Sequence, residues 1–238
     1  MNLPSLFKSL MIFPRTVSYI NQTKIHKSDI EKIKVNWSHE LMERLNIEVD
    51  VIGKPTHDPS TLFVGNHISY VDIPLLFKYI PHASFVAKKE VGEWPIIGHA
   101  ARQAKTVFVD RNNSTHRSVV REGIQSALTH GKRVILFPSG TTSISEHVAW
   151  KKGAFEIAKD GGFKVQPFRL NYSPLRDVAY IDEDTLIFHL MKLSQHKKIQ
   201  ATLEFHEPVY IEDVYLDAQY WQQWSQPKPL TQLIKSKS

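Results

Sequence analysis

The chain contains no cysteine, which excludes disulfides, thiolate zinc sites and any mechanism that carries an acyl group on a protein thiol. No two glycines are separated by a single residue, so there is no Gly-x-Gly dinucleotide fingerprint. Neither Gly53-Lys54 nor Gly131-Lys132 continues into Ser or Thr, as a phosphate-binding P-loop does. Histidine is plentiful at 12 residues, yet His39-Glu40 and His206-Glu207 are both followed by the wrong residues for a His-Glu-x-x-His zinc site. No apolar run approaches the roughly 18 residues that a spanning helix needs, so no transmembrane segment is expected. Lys8 interrupts the first apolar stretch and no small-residue cleavage site follows, which argues against a signal peptide. No linker rich in Gly, Ser or Pro divides the chain, and no repeat is visible.

What is there is a globular composition. Apolar residues make up 42% and aromatics 11%, which excludes a disordered chain, and 238 residues suffice for one large domain. The net charge of +6 suits an anionic substrate or a membrane surface. Because Lys and Arg are dispersed and no nucleic-acid-binding module is visible, nucleic acid is not expected as a partner.

Leu3, Leu6, Phe7, Leu10 and Met11 fall on one helical face, and Pro14 is expected to end that helix. Such a helix serves equally as an interfacial anchor or as a cover for the domain's own core. Ser28 and Glu31 form a Ser-x-x-Glu capping box ahead of Ile30, Ile33, Trp37, Leu41 and Leu45, which recur at helical spacing. Strands are expected at 47–52, 61–64, 84–87, 105–109, 133–137, 164–170 and 201–205, with helical patterns at 72–80, 116–130 and 151–159. Tyr215, Tyr220, Trp221 and Trp224, followed by Lys228, Lys235 and Lys237, read either as a helix closing the core with a basic tail or as a second membrane-interface candidate. The pattern predicts a single α/β domain: a mixed, mostly buried β-sheet flanked by helices, with an N-terminal amphipathic helix.

The chemistry gathers after the apolar segment Thr61-Leu62-Phe63-Val64, in Gly65-Asn66-His67-Ile68-Ser69-Tyr70-Val71-Asp72-Ile73-Pro74. On one helix His67 and Asp72 would stand about 140° apart and could not meet. Pro74 fits only the first turn of a helix, so the helix starts near Asp72 and leaves His67 on the preceding loop, facing it. Asp72 would then orient the imidazole, and the other ring nitrogen could take a proton from a hydroxyl. The plainer alternative makes Asp72 an N-cap and His67 a loop histidine bonded to backbone.

Asn66-His67 and Asp72 match the Asn-His-x4-Asp signature of the 1-acylglycerol-3-phosphate acyltransferase family of glycerolipid acyltransferases, and the chain resembles that family in three further blocks in order. Lys88-Lys89-Glu90 with Pro95 and Gly98 looks like its linking segment, and Val107-Phe108-Val109-Asp110-Arg111 is similar to its Phe-x-Asp-Arg block. Phe137-Pro138-Ser139-Gly140-Thr141-Thr142-Ser143 resembles its Phe-Pro-Glu-Gly-Thr-Arg-Ser block, followed by a Val-x-Pro strand at Val165-Gln166-Pro167. The resemblance implies an enzyme that moves a fatty acyl chain from acyl-CoA or acyl carrier protein to the free hydroxyl of a lysolipid, with no bound cofactor and no metal. It implies His67 as general base, Asp72 as its orienting partner, Arg111 as a fork for the acceptor's phosphate, and Ser139, Gly140, Thr141 and Thr142 as the rest of the acceptor-binding loop. With the patterns read at the two ends of the chain, the expected organisation is an amphipathic membrane-interface segment at 1–27, an acyltransferase domain at 28–210 and a C-terminal aromatic helix and basic tail at 211–238, the enzyme being attached peripherally to the cytoplasmic face of the cell membrane.

Two positions depart from the family. Ser139 stands where glutamate is usual and Thr142 where many members have arginine; members that acylate lyso-ornithine lipid also carry Thr there. The departures point to an acceptor with a head group other than a plain phosphate. They also keep open a non-catalytic lysolipid-binding module and, more remotely, a lipid hydrolase with Ser139 as nucleophile, although Leu136-Phe137-Pro138-Ser139-Gly140 lacks the first glycine of Gly-x-Ser-x-Gly.

Overall fold

The structure is a computed structural model that describes residues 3–110, 113–145, 147–182 and 184–228, with backbone only at 3–10, 27 and 114. Seven strands form one sheet: β1 (Ile47–Ile52), β2 (Leu62–Gly65), β3 (Ala83–Lys88), β4 (Val107–Val109), β5 (Arg133–Leu136), β6 (Val165–Ser173) and β7 (Ile199–Phe205). Their spatial order is β1-β7-β6-β2-β5-β3-β4. Every neighbouring pair is parallel except β6 with β7. The helices are α1 (Leu3–Ile25), α2 (Ile30–Arg44), α3 (Asp72–Tyr79), α4 (Ile97–Gln103), α5 (Ser114–Thr129), α6 (Gly153–Gly161), α7 (Leu175–Val178), α8 (Leu186–Leu193) and α9 (Val214–Trp224).

Strand β2 lies between β5 and β6 and is buried along its whole length, so its sequence is a continuous apolar run rather than an alternation. Its side chains divide between two cores. Phe63 joins residues of α1, α2, α3 and α8, whereas Leu62 and Val64 join residues of α5, α6 and α9. Because β2 and β5 run parallel, with Val64 beside Leu136, the loops that leave their carboxyl ends emerge at the same edge. In open α/β sheets that edge is where ligands bind.

The helices and strands follow the sequence pattern closely, with three departures. Pro14 does not end α1, which continues to Ile25. A proline inside a helix costs about 3 kcal/mol; the contacts α1 makes with α2 on the far side of Pro14 oppose that cost. Arg15 and Tyr19 reach Glu40, the Trp37 indole donates to Thr16, and Ile12 enters the core. The Ser28–Glu31 capping box does not form. Asp29 occupies the N-cap without a side-chain cap, and Glu31 instead accepts the His82 backbone N–H at 2.9 Å and pairs with Lys34 at 2.7 Å. Finally, α4, α7 and α8 lie in segments where no helix was expected. At the other end of the chain α9 forms as the pattern predicts. Trp221 is buried in the core and the Arg169 guanidinium lies 4.6 Å from the Trp224 ring; Lys235 and Lys237 lie outside the described residues.

Glu40 ties α1 to the domain. It accepts from Arg15 Nε at 2.7 Å, Arg44 Nε at 2.8 Å and the Tyr19 hydroxyl at 3.0 Å. The Arg15 hydrogen bond, with those from Arg44 and Tyr19, holds the Glu40 carboxyl down to about 2 despite the opposing pull of burial. A carboxyl held low in the folded state contributes stability that is complete above its ordinary unfolded value and is lost as pH falls towards the folded one. Glu40→Gln is therefore expected to speed amide exchange in α1 severalfold at neutral pH, and the gap between variant and wild type should close as pH approaches 2. Equal exchange at neutral pH would mean that α1 is held by its apolar contacts alone.

Candidate active site

The candidate site begins where β2 ends. A Cβ on Gly65 would lie 2.3 Å from the Phe168 ring, so that ring can lie over the end of β2 only with glycine there. The next residue fastens the loop to β6. The Asn66 amide donates to the Leu170 carbonyl at 2.8 Å and accepts the Leu170 N–H at 2.7 Å, standing in for a further rung of the ladder. The chain then leaves the sheet through His67 and turns into α3, whose first residue is Asp72 with Pro74 in its first turn.

Asp72 is fully buried and its carboxylate is surrounded by donors. Oδ2 accepts the backbone N–H of Ile68 at 2.7 Å and of Ser69 at 3.0 Å, and lies 2.7 Å from His67 Nδ1. Oδ1 accepts the Tyr172 hydroxyl at 2.7 Å. Burial, and the carboxylate beside it, push the Tyr172 phenol well above its ordinary value, so it stays a donor. With two amides and a phenol donating to it, the carboxylate is an acceptor throughout, and Nδ1 of His67 carries the proton it shares with Oδ2. That fixes the tautomer and leaves the Nε2 lone pair for other work. The ring is held flat against Phe137, with centroids 4.0 Å apart and planes 7° from parallel. The His67 carbonyl accepts the Ser143 N–H at 2.8 Å, which ties the loop after β5 to the loop after β2.

His67 lines a largely apolar cavity of about 560 Å³ that runs between α1, α2, α4 and the carboxyl edge of the sheet. Its walls include Ile12, Phe13, Ile20, Trp37, Ala100 and Leu190, and its volume falls within the range of roughly 300–1,000 Å³ for small-molecule sites. Lys34 also borders it, buried and paired with Glu31, and burial lowers its ammonium below the usual lysine value.

The structure brings Gly140, Thr141 and Thr142 to the same cavity as His67. Much of that loop is committed to itself. The Gly140 N–H donates to the Phe137 carbonyl at 3.0 Å, and the Thr142 hydroxyl donates to the Tyr180 carbonyl. Ser139 does not border the cavity, and its hydroxyl donates to the Thr141 carbonyl at 2.7 Å rather than to the His67 imidazole. A serine nucleophile needs its base within hydrogen-bond reach, so the geometry gives a Ser139 hydrolase no support. Arg111 lies outside the described residues.

Two participants are not legible as motifs. Tyr172 reaches Asp72 from β6, a hundred residues along the chain. Tyr70, which borders the cavity, bonds His189 Nδ1 at 3.0 Å, and His189 Nε2 lies 3.0 Å from the Ala179 carbonyl. The carbonyl can only accept, so Nε2 carries the proton and Nδ1 accepts from Tyr70. Burial pushes this imidazole down and the Tyr70 phenol up, which keeps both neutral. Among the described residues no cluster of three or more His, Asp or Glu side chains is arranged to hold a metal ion.

The Acyltransferase family model matches residues 44–171. The lyso-ornithine lipid O-acyltransferase of Pseudomonas aeruginosa is 32% identical over 178 residues, covering 73% of this chain and 68% of that protein. The 1-acyl-sn-glycerol-3-phosphate acyltransferase of Neisseria gonorrhoeae is 33% identical over 119 residues, covering 50% of this chain and 46% of that protein. The crystal structure of the 1-acyl-sn-glycerophosphate (LPA) acyltransferase PlsC from Thermotoga maritima shares the fold at a TM-score of 0.70 and 19% identity, over 94% of this chain and 93% of that one. The chain belongs to the acyltransferase family.

Tyr172→Phe keeps the ring but removes one donor from a buried carboxylate. Leaving a buried acceptor short of a partner costs about 1–3 kcal/mol, and urea denaturation should show a loss of that size. Unchanged stability would mean that Asp72 does not depend on the phenol.

Proposed function

We propose that the protein transfers a fatty acyl group from the thioester of acyl-CoA or acyl carrier protein to the free hydroxyl of a lysolipid. The observation that carries this reading is the His67–Asp72 pair, its tautomer fixed, beside an apolar cavity in a chain of the acyltransferase family. Nε2 of His67 takes the proton of the acceptor hydroxyl as its oxygen attacks the thioester carbonyl. The resulting imidazolium is stabilised by the buried Asp72 carboxylate. Collapse of the tetrahedral oxyanion forms the ester and expels the thiolate, which recovers the proton, so the base is regenerated. The absence of cysteine accords with this direct transfer, since no acyl-enzyme thioester is required.

The apolar walls suit an acyl chain. In the acceptor loop, Thr141 is exposed and borders the cavity, and its hydroxyl has no partner among the described residues, which suits a contact with the acceptor or the oxyanion. Arg111 retains the role of anion fork that the family motif implies. The acceptor we favour is a lysolipid whose head group carries an amine, of the lyso-ornithine class, rather than 1-acylglycerol-3-phosphate. Three features support it. Thr142 offers no cation and spends its hydroxyl on Tyr180, the carboxylates of Asp182 and Asp184 border the cavity, and a lyso-ornithine lipid enzyme is similar over a larger share of this chain than the phosphate-acceptor enzyme. Carboxylates beside a phosphate monoester would repel it, while an ammonium is attracted. No helix among the described residues is long and apolar enough to cross a membrane. We read the enzyme as peripheral, working at the cytoplasmic face, where thioester donors reach it.

Purified protein given labelled acyl-CoA or acyl carrier protein and a panel of lysolipids should acylate the lyso-ornithine lipid in preference to 1-acylglycerol-3-phosphate. His67→Ala should lower turnover by about 10²–10⁴-fold, the usual contribution of a positioned base, while Arg111→Ala should mainly raise the acceptor's KM. No transfer to any acceptor by folded protein that still binds lysolipid would turn the reading into a non-catalytic binding module. Efficient transfer to 1-acylglycerol-3-phosphate alone would overturn the head-group assignment.

A further inference from the structure

Helix α8 is apolar on both of its faces. Leu190 and Leu193 are buried in the core, with His189 buried beside them, and Leu186 and Leu190 border the cavity that His67 lines. A surface helix ordinarily turns polar residues outward. Here the outward positions hold Ile187 and Phe188, which are 58% and 72% exposed, with Met191 partly exposed beside them at helical spacing. Neither Ile187 nor Phe188 borders the cavity, so its contents do not account for them. An exposed apolar face of this kind marks an interaction surface.

We infer that the outer face of α8 docks on a lipid bilayer, with Ile187 and Phe188 inserted among the acyl chains beside an opening of the cavity. This rests on the reading that the acceptor is a lysolipid. Asp182, which borders the cavity and is itself exposed, marks an opening a few residues before α8. A lysolipid leaving the bilayer along α8 would therefore meet the cavity without its acyl chain crossing water. The last turn of α8 carries exposed Lys192 and leads towards exposed Lys197 and Lys198, whose charges suit anionic head groups even though Lys192 pairs with Asp177 and Lys198 with Glu48. A second copy of the chain fits the face less well. Two large side chains contribute on the order of a few hundred Å², well short of the roughly 800 Å² per partner of a stable protein interface. The exposed aromatics of α9, the C-terminal membrane-interface candidate, belong to the layer on the opposite side of the sheet from the cavity.

The test uses the full chain and vesicles of equimolar phosphatidylcholine and phosphatidylglycerol. Replacing Ile187→Ser and Phe188→Ser together should lower the vesicle partition coefficient about tenfold or more. Transfer to a detergent-dispersed lysolipid should stay within about twofold of wild type, since neither side chain touches the cavity. Because the chain has no cysteine, Phe188→Cys carries a single spin label without further engineering. On vesicles that label should become shielded from water-soluble nickel complexes, while a label at Tyr220→Cys on α9 should not. Partitioning unchanged by the double substitution, or a label at 188 that stays accessible on bound vesicles, would overturn the inference. So would a double variant that turns a dimer into a monomer and binds vesicles as before, which would assign the face to a second copy. Absence of acyl transfer by the wild type to every acceptor would instead count against the enzymatic reading, and the vesicle result would still decide the docking inference.

Discussion

The site is organised around one buried charge. Asp72 has no access to water, and a carboxylate in that position is tolerable only when its lone pairs are filled. The donors come from two separated parts of the chain: the loop at 67–69 and the Tyr172 hydroxyl on β6. Satisfying it therefore requires β6 to lie beside β2, the loop to fold back over the start of α3, and the His67 ring to turn Nδ1 inward. The same demand explains Gly65 and Asn66. Glycine leaves room for the Phe168 ring over the end of β2, and the Asn66 amide locks the loop in register with Leu170. Once these conditions hold, the orientation and tautomer of the imidazole follow from the folding of the chain.

Much of this frame is legible in the sequence because local pattern and tertiary role agree. The run 62–64 is apolar at every position since β2 is buried on both faces, and α3 starts at Asp72 because Pro74 is confined to a first turn. The failures have identifiable competitors. Pro14 would end an isolated helix, but Arg15, Thr16 and Tyr19 on its far side have partners on α2. Glu31 has the right spacing for a capping box, yet the His82 N–H and the buried Lys34 ammonium compete for its carboxylate. Tyr172 and His189 could not be read at all. Their partners depend on the order of strands in the sheet and on the packing of α8, neither of which leaves a trace in local spacing.

Within the acceptor loop, charge has been exchanged for shape. Ser139 bonds Thr141, Gly140 bonds Phe137 and Thr142 bonds Tyr180, so both side chains that stand in place of an acid and an arginine help to hold the loop and the segment before α8 in place. Tyr180 in turn donates its N–H to the Ile68 carbonyl, beside the amide that caps Asp72. Thr142 is thus joined through the backbone of Tyr180 and Ile68 to the loop that carries His67. Arg176, placed between Asp182 and Asp184 at 3.3 Å from each, partly neutralises the acids at the cavity wall. A zwitterionic head group could exchange partners with this trio, its amine taking a carboxylate and its own carboxylate taking the guanidinium, with little change in net charge. A phosphate monoester has no cation to offer the two aspartates, so its binding would leave them beside a second anion.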